Sequence, residues 1–185
     1  MRIVYFHYIL IIFYLLGCTS IKSFQRITDF HHDNPLLYKL NEVIDFNRIQ
    51  KGHISAATTI TLKDADKILI EILSISPTVR TFENTLLNID NLYNTVSKVW
   101  NMIELLSSLH PSKDIRDEAD ENDLRIQTYM IDLSMNEGLY KVILAYSNSK
   151  EAQTLMGSRK RFLQSEIREF KRSGMELNAK ERHKL

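Results

Sequence analysis

The sequence has few of the residues that interrupt regular structure, with 5 glycines and 3 prolines among 185 residues. Because glycine and proline mark most tight turns, their scarcity favours a mostly helical protein with few such turns. The length is sufficient for one domain with a buried core. The net charge of +1 indicates no particular partner, and nothing in the overall composition points to nucleic acid.

Cysteine occurs once, at Cys18, which excludes a disulfide within the chain. It follows an apolar run, Ile3 to Leu16, that begins after Met1-Arg2 and leads into Gly17. A basic start, an apolar stretch and a small residue are the parts of an export signal, and a cysteine at the first mature position matches the bacterial lipobox. As a helix, this run would be ~21 Å long, whereas the hydrocarbon core of a bilayer is about 30 Å thick. The run is therefore too short to span a bilayer comfortably. We predict a lipoprotein signal peptide at 1–17 and lipidation of Cys18. The alternative is an uncleaved membrane anchor with an incidental thiol.

Three regions follow from this pattern. Residues 18–33 are predicted to form a flexible polar tether, and the stretch Asn34 to Tyr38 marks the start of the folded body. Residues 34–185 are predicted to be all-α, built as antiparallel helical hairpins or a bundle. The expected location is the periplasmic or cell-surface side of a bacterial membrane, with the membrane itself as a partner through the lipid anchor.

Spacing of apolar residues divides the body into four helical blocks at about 49–75, 82–109, 112–146 and 150–172. The first block contains a weak helix former, Thr58 to Thr61, so a break near Lys63-Asp64 stays open. The third block is expected to kink or restart between Ser134 and Gly138, after a start capped by Ser112. The fourth block is predicted to be continuous and to stop at Ser173-Gly174.

The second block has a sustained apolar stripe from Phe82 to Leu106, at spacings of three and four residues. Its first turn needs a cap, which Thr81 can supply, and Glu83 places negative charge near the positive end of the helix dipole. Asn84 and Thr85 are poor helix formers. We therefore expect their side chains to bond elsewhere in the fold.

The last residues resemble a capping box, Asn178 to Glu181, and predict a fifth helix for which few residues remain. We interpret the chain as one cut just after a new element begins. A severed bundle is expected to leave the Phe82 to Leu106 stripe partly exposed and prone to association.

Catalytic motifs are missing from the sequence: there is no H-E-x-x-H pair, no glycine-rich phosphate loop and no G-x-S-x-G elbow. The adjacent His31 and His32 point in different directions on any regular element and make a poor metal site. His53 and His110 lie at predicted helix boundaries, where capping or surface roles are expected. We therefore predict no catalytic residue and no metal ligand in this chain.

Charged runs allow two interpretations. The acidic run Asp114 to Asp123 is expected to be a solvated helix face. The fourth block carries a basic face, which is either a nucleic-acid or anionic-lipid patch or a surface compensated by the acidic third block. We favour compensation and predict no nucleic-acid partner. The cations of this face are Arg159, Lys160, Arg161, Arg168, Lys171 and Arg172.

The start of the second block resembles the beginning of a long helix in the thimet oligopeptidase and neurolysin family of zinc metallopeptidases. Four further stretches are similar to this family and occur in the same order: 46–57, 112–119, 135–140 and 170–177. The residues that carry the first likeness are Arg80, Thr81, Phe82, Glu83, Asn84 and Thr85.

The resemblance implies the N-terminal helical region of such an enzyme, which forms one wall of a deep channel admitting only short peptides. In a complete member of the family, zinc polarises the scissile carbonyl and a glutamate activates water. The residues that do this lie far beyond the stretch matched here, so the chain is expected to hold no zinc and to be inactive alone. Short peptides would be partners only after completion by a catalytic domain. The alternative is a stand-alone surface lipoprotein that acts as a peptide- or protein-binding module.

Overall fold

The computed structural model describes residues 34–38 and 42–177. The predicted signal peptide, the tether with Cys18 and the capping box at 178–181 lie outside the described residues. Within the described ranges there are six α-helices and no strand, which confirms the all-α prediction. None of these helices is both long and apolar enough to cross a bilayer.

Helix bounds follow the predicted blocks closely. A single turn of π-helix, Phe82–Leu86, leads directly into the second α-helix, and short 3-10 turns occur at Phe46–Arg48 and Pro77–Val79. The α-helices are α1 (His53–Ser74), α2 (Leu87–Leu109), α3 (Lys113–Ser134), α4 (Glu137–Ser147), α5 (Lys150–Thr154) and α6 (Gly157–Arg172).

The first three helices form an up-down-up bundle in which each contacts the other two. Polar pairs along the helix seams fix these directions. Pairs between α1 and α3 advance together along both helices, so these two run parallel, and α2 runs antiparallel between them. The pairs are Arg125 Nη2 to Thr59 Oγ1 (3.1 Å), Tyr129 Oη to Asp66 Oδ1 (3.1 Å) and Trp100 Nε1 to Asp123 Oδ1 (2.6 Å).

The apolar stripe of α2 lies inside this bundle. Phe82 is 8% exposed, and Ile89, Val96 and Ile103 are fully buried. Only Tyr93 and Trp100, with polar ring atoms, are half-buried. The expectation of an exposed stripe is therefore wrong: α1 and α3 cover it, because three parallel or antiparallel helices can enclose one apolar face each.

The segment 34–38 packs onto the bundle, as predicted. Leu36 is fully buried, and the Asn34 side chain donates to the backbone oxygen of His53 at 2.8 Å. The Lys98 ammonium of α2 lies 4.3 Å from the centre of the Tyr38 ring, within cation–π range. These contacts make the first described residues part of the folded body.

The second half of the chain packs against one side of the bundle. Helix α4 contacts α1 and the π turn, and α6 contacts α4, where the Tyr140 and Phe170 rings stack with centroids 5.7 Å apart. Gly138 lies close to α1, since a Cβ there would be 3.1 Å from Leu73 Cδ2. A larger residue at this position would require the Leu73 side chain to shift by a few tenths of an ångström.

Two predicted breaks behave differently from each other. The restart after α3 is confirmed, with Asn136 capping α4 through the backbone N–H of Leu139 at 2.9 Å. Helix α1, in contrast, is continuous through Lys63-Asp64. Burial of one face along its length outweighs the weak propensity of its threonines.

The fourth block is not continuous, which corrects the prediction. It breaks at Leu155-Met156 into α5 and α6, and Gly157 has a φ of +59°. Leu155 is buried at the break, and Gly157, a poor helix former, takes the left-handed conformation beside it, so a local signal and core packing coincide. The predicted stop is confirmed: Gly174 has a φ of +81° and Met175 N–H donates to Phe170 O at 3.0 Å.

The acidic start of α3 is only partly a solvated face. Glu118 is buried, and its carboxylate accepts from the backbone N–H groups of Gly52 and Ser55, each at 2.8 Å. The Ser55 hydroxyl donates to the same carboxylate at 2.9 Å. A negative charge from α3 therefore caps the N-terminus of α1, where free N–H groups and the helix dipole favour it. Ser112, at the N-cap position of α3, makes no capping bond with its side chain.

Replacing Glu118 with alanine should lower the free energy of unfolding by about 2 kcal/mol, because three donors at the start of α1 lose their charged acceptor. Glu121→Ala is the matched control on the same helix, since Glu121 is exposed and its loss should stay within about 0.5 kcal/mol. Urea denaturation followed by circular dichroism measures both. Equal midpoints for the two variants would show that the cap is energetically irrelevant.

Candidate functional site

The motif at the start of α2 folds into a compact cap. Thr81 Oγ1 accepts from Asn84 N–H at 3.1 Å, and Asn84 Oδ1 accepts from Thr81 N–H at 2.8 Å. This reciprocal pair is a capping box with asparagine at the third position. The predicted cap at Thr81 is confirmed, and its partner is Asn84.

Asn84 and Thr85 bond locally, to residues within five positions, rather than elsewhere in the fold as expected. The Asn84 amide donates to Val79 O of the preceding 3-10 turn at 2.8 Å. The Thr85 hydroxyl donates to Asn84 Oδ1 at 2.9 Å, and Thr85 is fully buried. These side chains are placed by the π turn, which offsets the backbone by one residue at the beginning of α2.

Arg80, at the start of the motif, binds the C-terminus of the preceding helix, α1. Its guanidinium donates to Ile75 O at 2.6 Å and to Ile72 O at 3.3 Å, which are backbone oxygens at the C-terminus of α1. A cation is favourable there because the helix dipole is negative at that end. Arg80 is buried, burial lowers the pKa of its guanidinium, and its Nε has no hydrogen-bond partner.

Two residues from the second half of the chain complete the arrangement. The Glu151 carboxylate on α5 accepts from Phe82 N–H at 3.2 Å. The Arg159 guanidinium on α6 lies 4.5 Å from the centre of the Phe82 ring and pairs with Glu83 Oε1 at 2.9 Å. We call residues 80–85 with Glu151 and Arg159 the junction cluster, because it ties α1, α2, α5 and α6 together.

A fully buried tyrosine lies near the junction cluster, and a half-buried tyrosine of α2 binds a carboxyl group of α6. Tyr146 is fully buried without a hydrogen bond to its hydroxyl, and burial, with the nearby Glu151 charge, raises its pKa to about 12. The Tyr93 hydroxyl donates to Glu166 Oε2 at 3.0 Å. Burial raises the pKa of the Glu166 carboxyl against the opposing effect of that hydrogen bond. Both tyrosines remain protonated at neutral pH.

The chemistry of the junction cluster is structural. The hydrogen bonds described above join its members to one another or to helix ends, Arg80 Nε has no partner, and the cluster includes no cysteine, histidine or serine nucleophile. Elsewhere, His53 is the first residue of α1 and His110 is the C-cap of α2, as their predicted helix boundaries require. Their Nδ1 atoms accept from the neighbouring loop N–H groups of Gln50 and Ser112. The described residues contain no group of three or more His, Cys, Asp or Glu that could hold a metal ion.

The basic face lies on α6, but the acidic third block does not compensate it. Its ion pairs in the described residues are formed with Glu83, Glu169 and Glu176, and the carboxylates of α3 bind α1 and α2 instead. The prediction of compensation by the third block was therefore wrong. It assumed that consecutive blocks pack as a hairpin, whereas α6 packs on α4.

Sequence reasoning did not find Glu118, Glu151 or Arg159 as parts of helix junctions. Each acts on a helix start more than sixty residues away, so no local spacing marks it. The only signal was that the start of α2 had free N–H groups and poor helix formers, which required partners from elsewhere.

Asn84→Ala should lower the free energy of unfolding by about 1–2 kcal/mol, since the cap of α2 and the link to Val79 are both lost. Asn84→Asp keeps the accepting oxygen and should lose less. Asn91→Ala is the matched control: Asn91 is exposed on α2, and alanine there should be neutral or slightly stabilising. Thermal melts measure all three, and an Asn84→Ala melt matching that of Asn91→Ala would contradict the capping role.

Comparison with known proteins gives two curated relatives. Oligopeptidase A of Haemophilus influenzae is 25% identical over 145 residues, which are 78% of this chain and 21% of that protein. The thimet-like oligopeptidase of Dictyostelium discoideum is 28% identical over 123 residues, which are 65% of this chain and 18% of that protein. The chain thus spans about a fifth of the length of these relatives.

The sequence model of one family, described as the neurolysin/thimet oligopeptidase N-terminal domain, matches residues 61–182. That range includes the junction cluster and every helix from the middle of α1 to α6. The match covers about two thirds of the chain, and the chain therefore belongs to the neurolysin/thimet oligopeptidase N-terminal domain family.

Proposed function

We propose that this chain supplies one helical wall of the peptide-binding space of a zinc-dependent oligopeptidase and contributes no catalytic group. The observation that carries the proposal is the family match over 61–182, together with relatives that are named as oligopeptidases. The junction cluster fits such a role, because it holds the start of a 23-residue helix at a fixed position against three other elements.

A rigid wall contributes to peptide hydrolysis by positioning. Held side chains limit the poses of a bound peptide and so reduce the entropy lost on the way to the transition state. The zinc ion of the family supplies the chemistry when bound, by polarising the scissile carbonyl and activating water. The described residues of this chain do not form a ligand set for zinc, so no step through zinc is assigned to them.

The full chain alone should give no zinc-dependent cleavage of a short quenched-fluorescent peptide. The reason is that the sequence contains no H-E-x-x-H pair and the described residues form no group that could hold a metal ion. The assay compares added zinc with added chelator, and a known zinc peptidase in parallel wells serves as the positive control. Turnover that the chelator removes, and that follows the protein through purification, would contradict the proposal.

A second candidate, a self-contained peptide- or protein-binding module, is favoured by the buried α2 stripe. Because the helices of this chain cover the stripe themselves, the body does not need a catalytic partner to bury its core. Saturable micromolar binding of a labelled short peptide to the isolated chain, without cleavage, would favour the module. Absence of such binding would favour the wall.

We further propose that the chain is exported and held at a membrane by a lipid on Cys18. The apolar run with a basic start and the single cysteine directly after Gly17 support this. Mass spectrometry of the protein from bacterial membranes should find an N-terminus at Cys18 with a diacylglycerol, and Cys18→Ala should remove the modification. An intact N-terminus at Met1 with an unmodified thiol would contradict it.

A further inference from the structure

We infer that the exposed face of α6 binds the anionic phospholipid headgroups of the membrane, with the groove between Arg161 and Arg168 as the headgroup site. The inference rests on the proposed anchor only in that the anchor brings the body close to a bilayer. It makes no use of the peptide-handling role.

The cations of α6 are gathered on one side. At about 100° per residue, five of them fall within about 120° of the helix circumference, and all are exposed. The carboxylates of α6, Glu166 and Glu169, lie outside that arc. The five cations are Lys160, Arg161, Arg168, Lys171 and Arg172.

Carboxylates compensate this arc incompletely. Glu169 pairs with Arg172 at 3.0 Å and lies 3.8 Å from Arg168, and Glu176 pairs with Lys171 at 2.6 Å. Two carboxylates thus face five cations, and pairs this exposed are weak and screened by salt. The arc keeps a positive excess, which attracts an anionic surface.

A groove of about 370 Å³ runs along the same face and is lined by Arg161, Phe162, Gln164, Ser165 and Arg168. The two guanidiniums offer forked donors, which suit phosphate oxygens. The half-buried Phe162 ring gives the groove one apolar side. Donors beside an apolar wall match a phospholipid headgroup where it joins the glycerol and acyl chains.

The position of the chain favours a bilayer over other polyanions. The apolar run and Cys18 precede a linker, residues 18–33, that could extend at most about 55 Å. A body held within this distance meets lipid headgroups at high effective concentration. Exposed Met156, just before α6, adds an apolar contact at the edge of the arc.

The test measures the partition of the full chain onto neutral phosphatidylcholine vesicles and onto vesicles containing phosphatidylglycerol. The readout is the ratio of the two partition constants, in which the contribution of the apolar N-terminus cancels. Arg161→Gln with Arg168→Gln should lower this ratio on the order of tenfold, since each basic residue near an anionic surface contributes several-fold. High salt should also lower the ratio measured for the chain without substitutions, because it screens the attraction between the cations and the anionic surface.

The matched control is Lys63→Gln with Lys67→Gln, which removes two exposed charges from α1 and should change the ratio less than about twofold. An equal decrease of the partition ratio in both double variants, or a ratio near one for the chain without substitutions, would overturn the inference. Displacement from anionic vesicles by duplex DNA at physiological salt would also overturn it, in favour of a nucleic-acid surface. Peptide turnover and the state of Cys18 are scored separately, so failure of the proposed function is distinguishable.

Discussion

The fold depends on carboxylates that cap the beginnings of distant helices. Each α-helix leaves its first N–H groups without partners inside the helix, and burying them unpaired is costly. Glu118 satisfies the start of α1 from α3, and Glu151 contacts the start of the π turn from α5. Helix ends that would otherwise need water can therefore lie inside the molecule, which lets α1 and α2 pack along their whole lengths.

Arg80 stabilises the opposite kind of helix end, because its positive charge lies at the C-terminus of α1. Its guanidinium binds the last carbonyl oxygens of α1, next to the point where Thr81 and Asn84 open α2. The connection between α1 and α2 is thus fixed at both ends by side chains only four residues apart. This geometry explains a motif without a catalytic group: its side chains hold the end of α1 and the start of α2 together.

Apolar spacing predicted the helices and their buried faces well, because one face of each helix must enter the core. Thr81 could be identified as a cap because it directly precedes the first residue of the apolar stripe, Phe82. The break at Leu155-Met156 carried a local signal, Gly157, that was not used. The capping role of Glu118 could not be identified, since it follows from where α1 lies in space. The error over the basic face has the same origin: it assumed that neighbours in sequence are neighbours in the fold.

The family match also limits what the junction cluster can mean. Its residues lie within or beside the matched range 61–182, and they join elements from both halves of it. A device that holds helices together suits a domain whose work is to present a stable surface. The proposed headgroup binding uses the exposed outer face of α6, a part of that framework on which peptide handling does not depend.

The turn at Gly157 has a consequence for the whole molecule. In one continuous helix, residues 151 and 159 would be separated by about 12 Å along the helix axis. That separation is unfavourable for contact of both with the single residue Phe82. The bend brings two residues of this stretch to Phe82: Glu151 accepts from its N–H group and Arg159 lies over its ring. Adding or removing one residue at the bend would therefore break contacts with a residue some seventy positions earlier in the chain.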